Sequence, residues 1–252
     1  FKQKTAYEML RSLVGSEMCI RDRCISDLTH DIKGFRLRLP RGARIPFKAG
    51  QYVQITIPPY GCVATPTTRA YSIASSPADN RAVELMIRKV PGGIATTYLF
   101  EYAKVDTPLH ISGPYGDFFL RDSSRSIVMV AGATGLAPLR SIILDMIERQ
   151  IFHRPVALFF GALARRDLFA VEEMQAIAAA HKWFRYIPAL SHDQQATGYE
   201  QGLVTDVLAR HYDRLDDHEA YLCGNPGMID ACVRVLRAKG LDETLIYYDK
   251  FM

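Results

Sequence analysis

The sequence predicts two domains in series: an antiparallel β-barrel domain over 24–122, then an α/β domain over 123–252 built on a doubly wound parallel sheet. Two observations predict this. Up to about Asp122 the chain reads as short alternating strands punctuated by glycine and proline. After Asp122, buried apolar strands alternate with helices, the pattern of parallel sheets. The length of 252 residues is enough for two domains of common size.

Residues 1–23 are set apart first. Read back into codons, KQKTAYE resembles a sequencing-library adapter, and LVGSEMCIRDR resembles a transposon-end adapter, with room between for a barcode. The segment is therefore expected to be adapter-derived and is excluded from the fold. The natural chain is expected to begin near Cys24, with earlier residues lost. Taken as protein, Thr5 to Val14 would make a short amphipathic helix.

In the first half, FRLRLP (35–40) alternates apolar and basic residues as a half-buried strand does. QYVQITIP (51–58) turns Tyr52, Gln54 and Thr56 one way and Val53, Ile55 and Ile57 the other. AVELMIRKV (82–90) is a further strand, and TTYLFEYA (96–103) is a helix entered through Gly92-Gly93. In the second half, SIVMVAG (126–132), VALFFGA (156–162), FRYIPAL (184–190) and EAYLCG (219–224) are strands. APLRSIILDMIERQ (137–150), VEEMQAIAAAHK (171–182), GLVTDVLARHY (202–212) and GMIDACVRVLRAKG (227–240) are helices, the last stopped by Gly240.

Bulk properties exclude several functions. Net charge is +4 without a basic block, so neither a nucleic-acid nor an anionic-membrane surface is indicated. No apolar run reaches membrane-spanning length. The five cysteines are scattered, which favours a reducing, cytoplasmic compartment. Cys19 and Cys24 have the spacing that opens an iron–sulfur run, but Asp27 stands where the next ligand would fall, so no metal site is assigned. The histidines are dispersed, and His181, His192, His211 and His218 read as surface residues. No Ser-His-Asp set is in view.

Four motifs carry chemistry. AGATGLAP (131–138) ends a buried strand and opens a helix, where small residues let backbone approach a pyrophosphate and free N–H groups meet it; tight strand–helix packing explains the same residues. RAYSIASSP (69–77), placed at a turn of the barrel, offers Arg69 for a phosphate, Tyr71 for stacking and the Ser72 hydroxyl. PGGIATTYL (91–99) places Gly92 and Gly93 before Thr96 and Thr97 at a helix start. YLCGNPGM (221–228) puts Cys223 at the end of a strand, where α/β sheets present ligands, or where a cysteine is simply buried. IYYDKF (246–251) ends the chain in aromatics.

In this order, RAYS, GG-x-x-T, SGPYGDF (112–118), GATGLAP, FFGA with RRDLF (159–169), YLCGNPGM and a near-terminal Phe resemble the ferredoxin–NADP reductase superfamily of FAD-containing electron-transfer enzymes. LTHDIKGFRLRLP, CGNPGMIDAC and IYYDKF look most like the NADH-dependent reductases of multicomponent oxygenases and the flavin subunit of sodium-translocating NADH:quinone reductase. The resemblance implies an FAD-dependent NADH oxidoreductase that passes electrons to a one-electron acceptor. That acceptor is expected to be a [2Fe-2S] ferredoxin domain lost upstream, working with an oxygenase or quinone reductase complex. It also implies roles. Arg69 and Ala70 would meet the FAD pyrophosphate, Tyr71 the isoalloxazine, and Ser72 the region of flavin N5. Gly92, Gly93, Thr96 and Thr97 would complete the phosphate grip. Gly132, Thr134, Gly135 and Pro138 would shape the nicotinamide-nucleotide site. Cys223 and Gly224 would lie beside the nicotinamide, and Phe251 would cover the flavin. Two departures stand out: Ala133 replaces a frequent glycine and is expected to fit, and Asn225 follows Cys-Gly where proline or serine is common. NADH is favoured, with NADPH the alternative because Arg165 and Arg166 follow the second α/β strand. Two other readings remain: a free-standing NAD(P)H:flavin reductase, and a non-catalytic docking subunit. Location is expected to be cytoplasmic, with peripheral membrane attachment through lost residues the alternative.

Overall fold

The structure is a computed structural model that describes residues 18–20, 22–105, 107–193 and 197–251, with side chains from Cys24 onward. The first half holds seven strands: β1 (Met18–Ile20), β2 (Asp22–Asp27), β3 (Ile32–Arg38), β4 (Tyr52–Ile57), β5 (Thr67–Ser72), β6 (Ala82–Arg88) and β7 (Leu109–Tyr115). They form two antiparallel sheets, ordered β1-β7-β4-β5 and β2-β3-β6. An isolated bridge between Ile73 and Leu85 joins the two. The core follows the period of two. Val53, Ile55 and Ile57 are at most 1% exposed, while their β4 neighbours Tyr52, Gln54 and Thr56 stay half-exposed. Phe35, Leu37, Leu85 and Leu109 close the same core. Each such side chain stabilises the fold by roughly 1.5–3 kcal/mol through burial.

The segment Thr5–Val14 lies outside the described residues. Met18–Ile20 pairs with Leu109–Ile111, and Asp22–Arg23 with Leu37–Arg38. These positions are held by main-chain hydrogen bonds, which do not read the side chain.

Two readings of the first half are corrected. RAYS is not in a turn. Arg69–Ser72 are the last four residues of β5, paired antiparallel with Tyr52–Ile55. The polar run TTRA hid the strand because Thr68, Arg69 and Ala70 are all exposed, so no apolar alternation marks it. The helix expected over 96–103 is instead α1 (Ile94–Thr97), a single turn, followed by a π-helical turn at Tyr98–Tyr102. The wider turn is closed by Ala103 N–H on Tyr98 O, five residues back. It brings the Tyr98 and Tyr102 rings parallel, and both pack on Tyr60. Strands β2 and β7 also went unanticipated.

The second half contains β8 (Ser126–Gly132), α2 (Leu136–Glu148), β9 (Val156–Ala162), α3 (Val171–Ala180) and β10 (Phe184–Leu190). It continues with β11 (Glu200–Gln201), α4 (Val204–His211), β12 (His218–Gly224), α5 (Pro226–Ala238) and β13 (Ile246–Lys250). Four strands fall where the pattern places them, and the helices lie within two residues of their expected ends. The short β11 and the terminal β13 were not foreseen. All neighbours are parallel, in the order β11-β10-β9-β8-β12-β13. The chain runs outward from β8 in one direction and then returns to the other side at β12. The switch point, where such sheets bind ligands, therefore lies between the carboxyl ends of β8 and β12. Of the four histidines read as surface residues, only His192 is exposed; His181, His211 and His218 are half-buried against aromatic rings.

A buried polar cluster ties the linker between the halves to this sheet. Arg154 donates from Nε to Arg125 O (2.9 Å) and from Nη1 to Arg121 O (3.1 Å). Its Nη2 lies 2.5 Å from Glu219, an ion contact rather than an aligned hydrogen bond. Tyr221 donates to Glu219 (2.7 Å) and accepts from Arg121 N–H (2.8 Å). Arg154 and Glu219 are at most 2% exposed, so each neutralises a charge the other could not bury alone.

Candidate functional site

The switch point is crowded by backbone. After β8, residues Ala133–Gly135 make one 3-10 turn, and α2 begins at Leu136. A methyl on Gly135 would overlap the carbonyl of Cys223. A methyl on Gly132 would sit 2.8 Å from Met228 Sδ, and one on Gly224 3.0 Å from Gly132 O. Gly224 also has φ +142°, which disfavours other residues. These glycines therefore bring the ends of β8 and β12 into main-chain contact. Pro138 falls in the first turn of α2, where its missing N–H costs nothing. Ala133 does not fit as expected. It sits at φ +47°, a left-handed position that strains a non-glycine residue by roughly 1–2 kcal/mol. Asn225, the other departure, caps α5. Its side chain accepts Gly227 N–H at 2.8 Å, with Pro226 at the first helical position.

Cys223 is fully buried. Burial pushes its thiol pKa well up, and the nearby Asp249 adds to the shift. It is a neutral thiol wall rather than a nucleophile. Asp249 is paired with Cys223 in the β12–β13 register, and burial raises its carboxyl pKa. The sequence reading missed Asp249; its signal was its place two residues before Phe251 in a strand that went unread. Phe251 is half-buried, and its N–H donates to Gly224 O at 2.9 Å, so the chain end is tethered at the crevice.

The barrel supplies the other side. Ala133–Gly135 abuts β6 of the barrel. At the end of β5, Ser72 is 7% exposed, and its hydroxyl has no partner among the described residues. Tyr71 is half-buried, and burial pushes its hydroxyl up to about 12, so it stays neutral. Arg69 and Ala70 are exposed, and Arg69 makes one hydrogen bond, from Nη1 to Thr68 O at 2.9 Å. In the loop before α1, Gly92 has φ +70° and nothing near its missing side chain. Thr96 is not free to hold a phosphate. Its hydroxyl is buried, bonded to Val90 O and Gly93 O (both 3.3 Å), and accepts Val90 N–H (3.1 Å). It shapes the loop, in which Gly93 N–H donates to Val90 O and Thr97 N–H to Gly93 O, both at 2.9 Å.

Two domain models match the chain: an oxidoreductase FAD-binding domain over residues 23–120 and an oxidoreductase NAD-binding domain over residues 129–234. Over 230 residues it is 40% identical to the phenol 2-monooxygenase reductase component DmpP of Pseudomonas sp. (strain CF600), which covers 89% of this chain and 63% of that protein. It is 32% identical over 250 residues to the propane 2-monooxygenase reductase component of Mycolicibacterium smegmatis, covering 97% of this chain and 70% of that protein. The crystal structure of the Amycolatopsis cytochrome P450 reductase GcoB superposes with a TM-score of 0.86 at 30% identity, over 94% of this chain and 70% of that one. The chain thus spans slightly less than two thirds of the length of the phenol monooxygenase component.

Proposed function

The chain belongs to the ferredoxin-reductase family of FAD- and NAD-binding oxidoreductases, and from that membership we propose that it moves electrons from NADH through FAD to a one-electron acceptor. One observation carries the reading. The switch-point turn packs on β6 of the barrel, and Arg140 and Ser141 of α2 bond Ala74 O and Ser75 O, two and three residues past the partnerless Ser72, so one domain can present a donor to a group held by the other. The residues fit a flavin nucleotide. Arg69 is exposed and lightly engaged, Tyr71 is neutral, and the loop is open at Gly92.

When bound, FAD supplies two-electron acceptance from NADH and one-electron release, which no side chain here provides. The chain's own part is positioning. Arg69 and the loop amides hold phosphate oxygens. Ser72 offers a hydrogen bond at the flavin edge. Gly132 and Gly135 admit the nicotinamide nucleotide, and Gly224 holds Phe251 at the crevice until the nucleotide enters. Asp249 stands in register beside Cys223, its carboxyl pKa raised by burial.

NADH is favoured over NADPH by the acids around Arg165 and Arg166. Asp193 accepts Arg165 N–H at 3.3 Å, and Asp167 lies 3.9 Å from Arg166 Nε. Those carboxylates oppose an added phosphate. The acceptor is a ferredoxin-type [2Fe-2S] domain serving an oxygenase or a quinone reductase. Four unpaired cysteines support a cytoplasmic setting, and among the described residues no helix is long and apolar enough to cross a membrane. The test is an anaerobic titration of the flavin-loaded protein. Stoichiometric bleaching by NADH, with little by NADPH, is expected. Yellow protein that neither nucleotide bleaches would sink the reading.

A further inference from the structure

One arginine makes four hydrogen bonds, two of which cross from one wall of the site to the other. Arg140 lies on α2, five residues after Gly135, and its side chain is 15% exposed. Its Nε and Nη2 donate to the two oxygens of Glu173 on α3, at 2.8 and 2.7 Å. That bidentate grip fixes the plane of the guanidinium. The remaining nitrogen, Nη1, crosses to the barrel. It donates to Ala74 O at 2.7 Å and to Glu84 Oε2 at 3.0 Å. Beside it, Ser141 Oγ donates to Ser75 O at 2.6 Å. Glu84 is itself held, accepting from Arg36 at 2.7 Å through its other oxygen.

Ala74 is only two residues beyond Ser72. The Arg140 guanidinium therefore connects two very short levers, one to the flavin-side strand end and one to the nucleotide turn. We propose that Arg140 is a positioning residue, whose fork sets the distance and angle at which the dinucleotide crevice faces the Ser72 end of β5. The inference rests on the proposed NADH-to-FAD reaction and goes beyond it. A lysine cannot substitute: a point charge with three donors cannot grip Glu173 from two atoms while reaching Ala74 O and Glu84. Misplacement of reacting atoms by about 1 Å costs on the order of 100-fold in rate, so small slippage is enough.

The experiment is anaerobic stopped-flow reduction by NADH of flavin-loaded wild type, Arg140→Lys, Arg140→Met and Glu84→Gln. Glu84→Gln removes the charge on the barrel side alone, and its partly exposed site tolerates the change. FAD content, Tm and the Kd for NADH are recorded with each. The limiting reduction rate is expected to fall about 10- to 100-fold for Arg140→Met, less for Arg140→Lys and Glu84→Gln. The NADH Kd should hold within about 3-fold, and the isotope effect with NADH deuterated at the transferred position should change. Unchanged limiting rates per bound flavin would overturn the proposal, whether or not Tm falls. A rate loss that only tracks lost FAD would also overturn it, as purely structural. A wild type that NADH does not reduce would instead refute the underlying function.

Discussion

At the ends of β8 and β12 the chain meets itself through backbone. Gly135 has no room for a methyl beside the Cys223 carbonyl, and Gly132 and Gly224 are nearly as tight. On the barrel side one site glycine, Gly92, is loose. Gly92 has nothing within 4 Å of its missing side chain, and Arg69 and Ala70 are exposed. The nucleotide half is thus prefabricated from main chain, whereas the flavin half is a set of side chains waiting for a ligand. Stability and ligand affinity should separate along this line.

Gly135→Ala should give the largest effect. Its Cβ cannot be accommodated unless β12 moves away from α2, so destabilisation of at least about 3 kcal/mol is expected, read as a large fall in Tm or loss of soluble protein. A variant with wild-type Tm would break the comparison at its firmest point. Arg69→Ala should do the reverse. Tm of the FAD-free protein should stay within about 1 °C, while FAD affinity, measured by titration, should fall roughly 10- to 100-fold through loss of a charge-assisted phosphate contact. Retention of FAD would show that the loop alone holds the phosphates. Next comes Ala133→Gly, which relieves a left-handed alanine. It should stabilise by about 1 kcal/mol and raise Tm by about 2–4 °C, checked by calorimetry. A lower Tm would mean that the turn is not strained.

The smallest effect concerns Asp249. Its folded-state pKa is raised above the ordinary 3.8 because burial disfavours the carboxylate. Between the two values the folded state holds the extra proton, so the group subtracts stability as pH rises, fully so above its folded pKa. Asp249→Asn should therefore raise Tm slightly at about pH 7–8 and leave it unchanged near pH 3. A gain that is the same at both pH values would discount the titration.

The second half was the more legible. A strand covered on both faces is apolar throughout, as in SIVMVAG and VALFFGA, so the residues alone announce it. In the first half LHISGPY hid because one face is open, and TTRAYS because Thr68, Arg69 and Ala70 are all exposed, so polar residues there imitate a turn. Among site residues, Gly135 and Cys223 stood in recognisable strand-end motifs. Thr96 stood in one too, but the structure turns its hydroxyl inward. Asp249 lay in a strand the pattern did not reveal. Arg140 gave no signal, because its partners Glu84 and Ala74 are more than fifty residues away.

By itself the sequence determined the main strand–helix alternation of the second half and the identity of the motifs, because hydrophobic period and glycine placement act over a few residues at a time. Only the tertiary structure decided which strand ends meet at the switch point, that Ala133 is strained, and that one guanidinium spans both walls. Those are relations between distant segments, set by sheet order and close packing, which no local run of residues contains.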